Sequence, residues 1–278
     1  MSHAIKLKEE GNRHFQQGNY AFAESQYSLA IIEDPKNPTF YTNRAMARLK
    51  LRLWDSAAAD CRSVLDMPAV ASATQIKAHY YLSEALLALK DVDGAHESGV
   101  AAHKLCAATN DKSLAAVTAA VLRAKKARWE RQEKERVREE EVLERELERL
   151  LRVECETSVA TLASYGDTVE RPFVEAEAAA KQKRLAAVFE RARQLSGQER
   201  REVPDWAIDD ISFGIMVDPV MTKTGKSYER ASIMEHLQRY NYDPISREPL
   251  TVADLRPNIA LREACEEFLE KNGWAADW

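Results

Sequence analysis

The segment DPVMTKTGKSYERASIMEHLQRYNYDPISREPL, residues 218–250, decides how this chain divides. Just before it lies a short apolar run, Ile215-Met216-Val217, of a length suited to one strand, with Pro219 following. Gly225 sits in Thr222-Lys223-Thr224-Gly225-Lys226, the punctuation of a hairpin. Ala231 to Arg239 then reads as a helix carrying Ile233, Met234 and Leu237 on one side. Asp243-Pro244 and Glu248-Pro249 bracket a second loop. The expectation is a small, turn-rich module in which two loops flank one helix. From Glu202 to Trp278 there is one cysteine, Cys265, and one histidine, His236. A zinc site needs about four ligands at short paired spacings, so no metal is expected. Packing and a polar network must stabilise the module, with Asp218, Glu229, Arg230, Asp243, Arg247 and Glu248 as candidate members.

This order of residues resembles the U-box, the zinc-free relative of the RING finger. The match continues through Leu255, Pro257-Asn258, Leu261, Arg262-Glu263 and Phe268, which fit that family's closing helix. The resemblance implies a docking surface for a ubiquitin-conjugating enzyme and no covalent catalytic residue. By resemblance that surface uses Ile211 and Phe213 in the first loop and Pro244 in the second, with Met216 nearby. Arg247 matches an arginine thought to favour the reactive pose of ubiquitin. The residues themselves support the apolar pair: Asp209-Asp210-Ile211-Ser212-Phe213 sets two large apolar side chains in a polar loop. Burial in the module's own core is the competing reading for both. Asn258 is expected to cap the last helix or to brace the domain internally.

Across 278 residues, 45% hydrophobic and 31% charged content describes a globular chain of two or three pieces with room for exposed helices. A net charge of −5 argues against a nucleic-acid partner, because phosphate binding needs a basic surface. No apolar run approaches the length of a membrane span, and the start of the chain has no signal-peptide core. Cys61, Cys106, Cys155 and Cys265 are isolated, which fits the reducing cytosol or nucleus.

The first hundred residues repeat. Small residues recur at Gly11, Ala45 and Ser83, at Ala23, Ala57 and Ala95, and at Ala30, Val64 and Ala102. The first two copies are 34 residues apart, and the third is displaced by a longer loop over residues 68–73. Small side chains at that period, where paired helices cross, resemble the tetratricopeptide (TPR) family, with helices expected near 4–17, 20–33, 38–51, 54–66, 75–89 and 92–107. In such arrays the first helix of each pair lines a concave groove. Lys8, Asn12, Asn43 and Lys77 fall on those helices. Two ammonium groups and two carboxamides suit a peptide with an acidic terminus. They resemble the carboxylate clamp that binds the C-terminal Glu-Glu-Val-Asp tail of heat shock protein 70 and 90 chaperones. Many clamps carry an arginine four residues after the third-repeat lysine. Tyr81 stands there instead, beside Tyr80, and suggests an apolar shelf for residues upstream of the tail. Core packing of Tyr80 is an equal reading.

From Asp111 to Glu156 there is neither glycine nor proline. The charge-laced stretch reads as one long helix whose first turns, with Leu114, Val117, Val121 and Leu122, cap the repeats. The basic cluster Arg123 to Arg128 is expected to be a solvated face. After a break at residues 163–167, a helix from Pro172 to Gln194 forms an antiparallel hairpin with the first. Leu143, Leu147, Leu150 and Leu151 are expected to face it, and a homodimer to bury the remaining apolar surface. Residues 196–202 read as a linker.

The fold class is therefore mainly α: a three-repeat TPR superhelix over 1–110, a helical hairpin over 111–201, and a small α+β U-box over 202–278. The whole resembles the CHIP family of U-box ubiquitin-protein ligases, with the loop after Gln238 one residue shorter. The resemblance implies a co-chaperone. Its groove holds a chaperone tail, the chaperone holds a misfolded client, and the U-box recruits a ubiquitin-conjugating enzyme, without a cofactor. A catalytically silent chaperone scaffold and an RNA-processing scaffold are the competing classes. The docking residues argue against the first, and the clamp and acidic balance against the second.

Overall fold

The computed structural model describes residues 2–165, 169–198 and 202–278. The expected break at Gly166-Asp167 and the linker residues Glu199, Arg200 and Arg201 lie outside the described residues. Contacts divide the chain into two compact units, residues 1–130 with 203–278, and residues 131–202.

The first unit opens with three helix pairs: α1 (His3–Gln16) and α2 (Tyr20–Glu33), α3 (Pro38–Lys50) and α4 (Trp54–Leu65), α5 (Ser72–Ala88) and α6 (Val92–Thr109). Local signals set the ends. Ser2, Asn37 and Asp91 each accept a first-turn N–H, and Pro38 sits at the first position of α3. Ser72 and Ala73, expected in a loop, are helical, because the amides of Thr74 and Gln75 close onto the Ala71 carbonyl.

The repeated small residues lie where helices touch. Ala23, Ala30, Ala45, Ala57, Ala95 and Ala102 are fully buried. A Cβ on Gly11 would stand 2.6 Å from the Tyr27 ring, so α1 meets α2 at that approach only without a side chain. Ser83 is the polar exception, and its hydroxyl donates to the Ala95 carbonyl at 2.7 Å. Arg44 and Arg48 of α3 share Asp60 of α4, and Arg48 also grips Glu24 of α2 at 2.7 Å. Three consecutive helices are thereby joined through a half-buried ion network centred on the buried Asp60.

Helix α7 (Leu114–Ser164) follows, so the capping helix begins beyond residue 110. Leu114 and Val117 pack against Ile76, Ala102 and Cys106 as a cap should. Arg123 to Arg128 is more than a solvated face, although Arg123 remains exposed. Arg123 pairs with Glu84, Lys125 lies 3.7 Å from Glu266, Lys126 pairs with Asp277, and Arg128 lies 3.3 Å from Asp93. The partners come from α5, α6 and the C-terminal module, which local charge patterning does not reveal.

That module holds β1 (Pro219–Met221), β2 (Ser227–Glu229), α9 (Arg230–Leu237), β3 (Arg256–Pro257) and α10 (Ile259–Lys271). The sheet is antiparallel in the order β2-β1-β3, with Val220 opposite Tyr228 and Pro257. Gly225 makes the hairpin turn at φ +82°, a conformation glycine adopts without a steric penalty. The run Ile215 to Val217 is not a strand. The amides of Val217 and Asp218 donate to the Glu229 carboxylate at 2.8 and 2.9 Å, which takes them out of any ladder. Ile215 and Met216 instead enter a core with Val203, Ala207, Cys265, Leu269 and Leu122 of α7. Helix α9 stops at Leu237, two residues early, where the amides of Arg239 and Tyr240 both turn back to the His236 carbonyl.

The second unit pairs the rest of α7 with α8 (Arg171–Gln198), which takes in part of the expected linker. Leu147, Leu151 and Cys155 on one arm, and Val174, Ala178, Leu185 and Phe189 on the other, are half-buried. Lys181–Glu154 at 3.1 Å and Arg193–Glu144 at 2.7 Å join the arms. Leu143 and Leu150 do not face α8 and are 51% and 50% exposed. Each lies one position, about 100° of helix rotation, from the inward row.

Candidate functional sites

The expected groove residues sit on the first helices of the pairs: Lys8 and Asn12 on α1, Asn43 on α3, and Lys77, Tyr80 and Tyr81 on α5. The structure joins the two carboxamides. Asn43 Nδ2 donates to Asn12 Oδ1 at 3.3 Å, and the Tyr27 hydroxyl donates to the same oxygen at 2.8 Å. Asn12 Oδ1 is thus saturated, which fixes the amide so that Asn12 Nδ2 remains as a donor. Lys8 is half-buried, and Lys77 is exposed with its charge felt at Asp111. Asp111 is held below the usual carboxylate range, first by the Ser113 hydroxyl and amide, with Lys77 a minor contributor.

The two tyrosines lie side by side, and both also pack against buried clusters, Tyr80 on that of Ile76 and Ala102 and Tyr81 on that of Ala45 and Leu82. Their ring centroids are 5.6 Å apart, and the Tyr81 hydroxyl reaches Met46 Sδ at 3.2 Å. With Met46, Leu49, Trp54 and Leu87 they line an open pocket of about 420 Å³. Burial pushes the Tyr81 phenol up to about 12, so it stays a neutral donor. Met46 and Trp54 escaped the sequence reading because each looks like an ordinary core residue of a helix pair. Arg123 also escaped it: from α7 it reaches Glu84 and lies against Tyr80, a cation brought near the tyrosines by a different helix.

The two loops of the C-terminal module are built alike. The first contains Asp209-Asp210-Ile211-Ser212-Phe213 and the second Asp243-Pro244-Ile245-Ser246-Arg247. Each is closed by an isolated antiparallel bridge, Ile208 with Ile215 and Tyr242 with Pro249. Within each, the aspartate amide donates across the loop, to Gly214 and Glu248, at 2.9 and 2.8 Å. The fifth residue donates back to the aspartate carbonyl, Phe213 to Asp209 and Arg247 to Asp243. Both aspartates are buried. Asp209 accepts from the Ser212 amide and hydroxyl with one oxygen and from the Glu229 amide with the other. Asp243 Oδ1 accepts from Tyr228 and from the amides of Ile245 and Ser246. These buried carboxylates draw each loop together. Among the described residues no His, Cys, Asp and Glu group is placed to hold a metal ion.

The fifth residues share a further property. Phe213 has φ +57° and Arg247 φ +63°, the left-handed region that side-chain-bearing residues rarely occupy. Holding them there costs on the order of 1–2 kcal/mol each. Phe213 is 73% exposed, and Arg247 lies over the Tyr242 ring at 5.0 Å. Pro244 and Ile211 are half-buried, Ile211 against Val220, Tyr228 and Ile233. Ile245, at the place in the second loop that Ile211 holds in the first, is 52% exposed. Met216 does not join this surface; it is 2% exposed in the core, because chain reversal after the Ile208–Ile215 bridge points it inward.

Of the expected polar network, Asp218 and Arg230 pair at 2.6 Å, and Glu229 and Asp243 are buried. Arg247 and Glu248 are exposed and lie outside it. Glu229 is pushed up to about 7, mainly by burial, against the two amides it accepts. Asn258 does both things expected of it, accepting from the Leu261 amide and donating to Ser227.

Residues 203–274 match the U-box domain family. The U-box also aligns with ubiquitin conjugation factor E4 of Schizosaccharomyces pombe, 39% identical over 26% of this chain and 7% of that protein. The TPR part aligns with the solved first TPR of Spaghetti (RPAP3) bound to an HSP90 peptide, 30% identical over 41% of this chain and 89% of that one. Its TM-score of 0.35 makes that likeness weak. The full-length similarity is to the E3 ubiquitin-protein ligase CHIP of Arabidopsis thaliana, 31% identical over 98% of this chain and 95% of that protein. Helix pairs, hairpin and twin-loop module fall in one order along the whole of that alignment, and the chain belongs to the CHIP family of E3 ubiquitin-protein ligases.

Proposed function

We propose that this chain is a co-chaperone ligase working from two separate sites. The TPR groove takes the acidic C-terminal tail of heat shock protein 70 and 90 chaperones, with Lys8, Asn12, Asn43 and Lys77 around the terminal carboxylates. Tyr80 and Tyr81 support the residues upstream. The twin loops dock a ubiquitin-conjugating enzyme through Ile211, Phe213 and Pro244, and the exposure of Ile245 supports adding it to them. Arg247 steadies the ubiquitin. Ubiquitin then passes from the conjugating enzyme's cysteine to a lysine of the chaperone or its misfolded client, without a covalent intermediate on this chain. Three of the four cysteines support this: Cys61, Cys106 and Cys265 are buried, and burial pushes Cys61 up to about 12 and Cys265 up to about 11, far from a ready nucleophile. The gain is proximity, since a tethered client meets the ubiquitin donor at high effective concentration.

The observation that carries this reading is the pair of alike loops, each closed on a buried aspartate and each ending in a strained residue, one of them an exposed phenylalanine. Left-handed residues also follow helices at Arg52, Lys90 and Asn110, so in these loops it is the exposed phenylalanine ring, more than the strain, that points to a use. In this scheme residues 1–110 are the chaperone-binding part, 111–201 the spacer and dimer contact, and 202–278 the recruiting part. Val142, Leu143, Leu150 and Val153 are 46–51% exposed on α7, and Phe173 and Val188 are more exposed on α8. That apolar surface suits a second copy of the hairpin. Free cysteines fit a cytosolic or nuclear site of action.

The test is reconstituted ubiquitin transfer with activating enzyme, a promiscuous conjugating enzyme and a heat shock protein 70. Wild type should modify the chaperone, and Ile211→Ala should transfer nothing. Lys8→Ala should modify only itself, with tail-peptide affinity down about tenfold to a hundredfold for one lost charge-assisted contact. Unchanged peptide affinity in Lys8→Ala sinks the groove assignment. A wild type that binds tail but transfers nothing makes the chain a scaffold.

A further inference from the structure

Within the first unit, α6, the start of α7 and the U-box line an open cavity of about 440 Å³ that the ligase reading does not use. Its lining is unevenly charged. Lys104, Lys125, Arg230 and Arg262 face it, against the two carboxylates of Asp218 and Glu266. Asp218 is already engaged by Arg230 at 2.6 Å, and Glu266 lies 3.7 Å from Lys125. Among the described residues, no ion pair engages Lys104 or Arg262. His103 lines the same cavity, is 9% exposed, and its Nε2 is buried without a hydrogen-bond partner. His14, His79 and His96 each have a ring nitrogen in the same condition, but His103 alone lines this cavity; such an atom costs on the order of 1–3 kcal/mol unless water or a ligand satisfies it.

We propose that this cavity binds a small phosphate-bearing molecule, with Arg262 and Lys104 on the phosphate and His103 Nε2 completing the set of donors. A phosphate ester brings roughly −1.5 to −2 charges and three acceptor oxygens. Arg262 offers a two-pronged donor, Lys104 a point charge, and His103 one N–H. The volume lies in the range of small-molecule sites, roughly 300–1,000 Å³, and leaves room for a sugar-sized group beside the phosphate. Because the donors come from α6 and α10, a bound anion would tie the repeats to the U-box.

His103 supplies a reporter. Burial holds its pKa below the ordinary histidine range, Arg230 and Arg262 add to that, and Asp218 opposes it; Lys104 is its neighbour on α6. A phosphate among these groups stabilises the imidazolium, so binding should raise the His103 pKa and tighten as pH falls.

The experiment uses the full chain and pyrophosphate, titrated by calorimetry at constant ionic strength, with the His103 ring followed by NMR. Arg262→Gln and Lys104→Gln are surface changes that should leave the fold intact. Lys8→Ala controls for the cationic groove, which could also attract an anion. Saturable binding in the millimolar range or tighter, weakened about tenfold or more in Arg262→Gln and unchanged in Lys8→Ala, with a rise in the His103 pKa, supports the site. Loss of binding in Lys8→Ala alone places the anion in the groove and overturns the proposal. So does an affinity indifferent to both Arg262→Gln and Lys104→Gln, or no saturable binding at all.

Discussion

Asp243→Ala tests whether one buried carboxylate builds the second of the twin loops. Its Oδ1 accepts at 3.0 Å from the Tyr228 hydroxyl and at 2.9 and 3.0 Å from the amides of Ile245 and Ser246. A hydrogen bond to a charged acceptor contributes about 1.5–3 kcal/mol, and three on one oxygen do not add in full. The substitution also strands the Tyr228 hydroxyl, on a residue that is 0% exposed, at a further cost of about 1–3 kcal/mol. A total near 3–5 kcal/mol follows, a large share of the roughly 5–15 kcal/mol that holds an ordinary domain. Asp243→Asn keeps the Oδ1 acceptor but loses the charge and puts an NH2 where Oδ2 lies buried without a partner, so it should cost about 1–3 kcal/mol.

Because the chain has more than one folding unit, a single melting curve would blur the effect. Hydrogen exchange at the Ile245 and Ser246 amides reads the loop directly. Asp243→Ala should speed it about a hundredfold or more, at roughly 1.4 kcal/mol per tenfold, and abolish ubiquitin transfer. Tail-peptide binding should persist. Acid should act in the same direction. Burial alone would raise the Asp243 pKa, but the amides of Ser246 and Ile245 and the Tyr228 hydroxyl outweigh it, and the net shift is downward. The stabilisation is therefore present above the unfolded value, about 3.9, and is lost as pH falls through the lower folded one. Unchanged exchange in Asp243→Ala, with transfer intact, would refute the view that this carboxylate shapes the loop.

Other substitutions separate function from stability. Phe213→Gly should relieve left-handed strain and raise stability by up to about 1–2 kcal/mol, yet lose ubiquitin transfer, because the exposed ring is gone; denaturant midpoints and discharge assays read the two effects apart. Glu229, with its folded pKa raised to about 7, binds a proton that the unfolded chain gives up near 4.3, so this group's contribution is full below about pH 4.3 and lost as pH rises through 7. Glu229→Gln should flatten that slope in urea midpoints taken at pH 5 and pH 8, and a slope equal to wild type counts against the assignment. A Cβ on Gly273 would fall 2.2 Å from the Trp129 Cβ. Gly273→Ala should therefore loosen α10 from α7 by about 1–3 kcal/mol, seen as faster exchange at α10, and a null result would mean that α7 gives way.

The repeats were legible because their information is local and periodic. Ala23, Ala57 and Ala95 are small because another helix backbone passes there, and that need recurs every 34 residues or so in the first two copies. The hairpin was half legible. Leucines in the right heptads were visible, but a one-residue phase error put Leu143 and Leu150 on the inner face when they are exposed. The basic run Arg123 to Arg128 was misread for a different reason: composition says whether a charge is tolerated in water and nothing about a partner 151 residues away, as Asp277 is from Lys126.

The twin loops show where a further signal lay unused. Asp-x-Ile-Ser occurs at residues 209–212 and again at 243–246, and each time the next residue is left-handed. Asp209 was passed over as polar loop filler, although it and Asp243 perform the same task. The serine amide closes onto the aspartate carboxylate, and the following amide closes onto its carbonyl. Two such closures in succession leave the chain with a turn too tight for another right-handed residue, much as a helix end demands a left-handed one. Glycine would be the easy choice at that position. This chain places phenylalanine in one loop and arginine in the other, accepting strain at both. Packing does not account for Phe213, which is 73% exposed, and ring stacking on Tyr242 leaves the exposed Arg247 guanidinium free to donate. Arg52, Ala69, Lys90 and Asn110 are left-handed too, so the backbone conformation alone does not single out these loops; the same Asp-x-Ile-Ser closure used twice, each time ending in an exposed side chain, is what makes the pair distinctive.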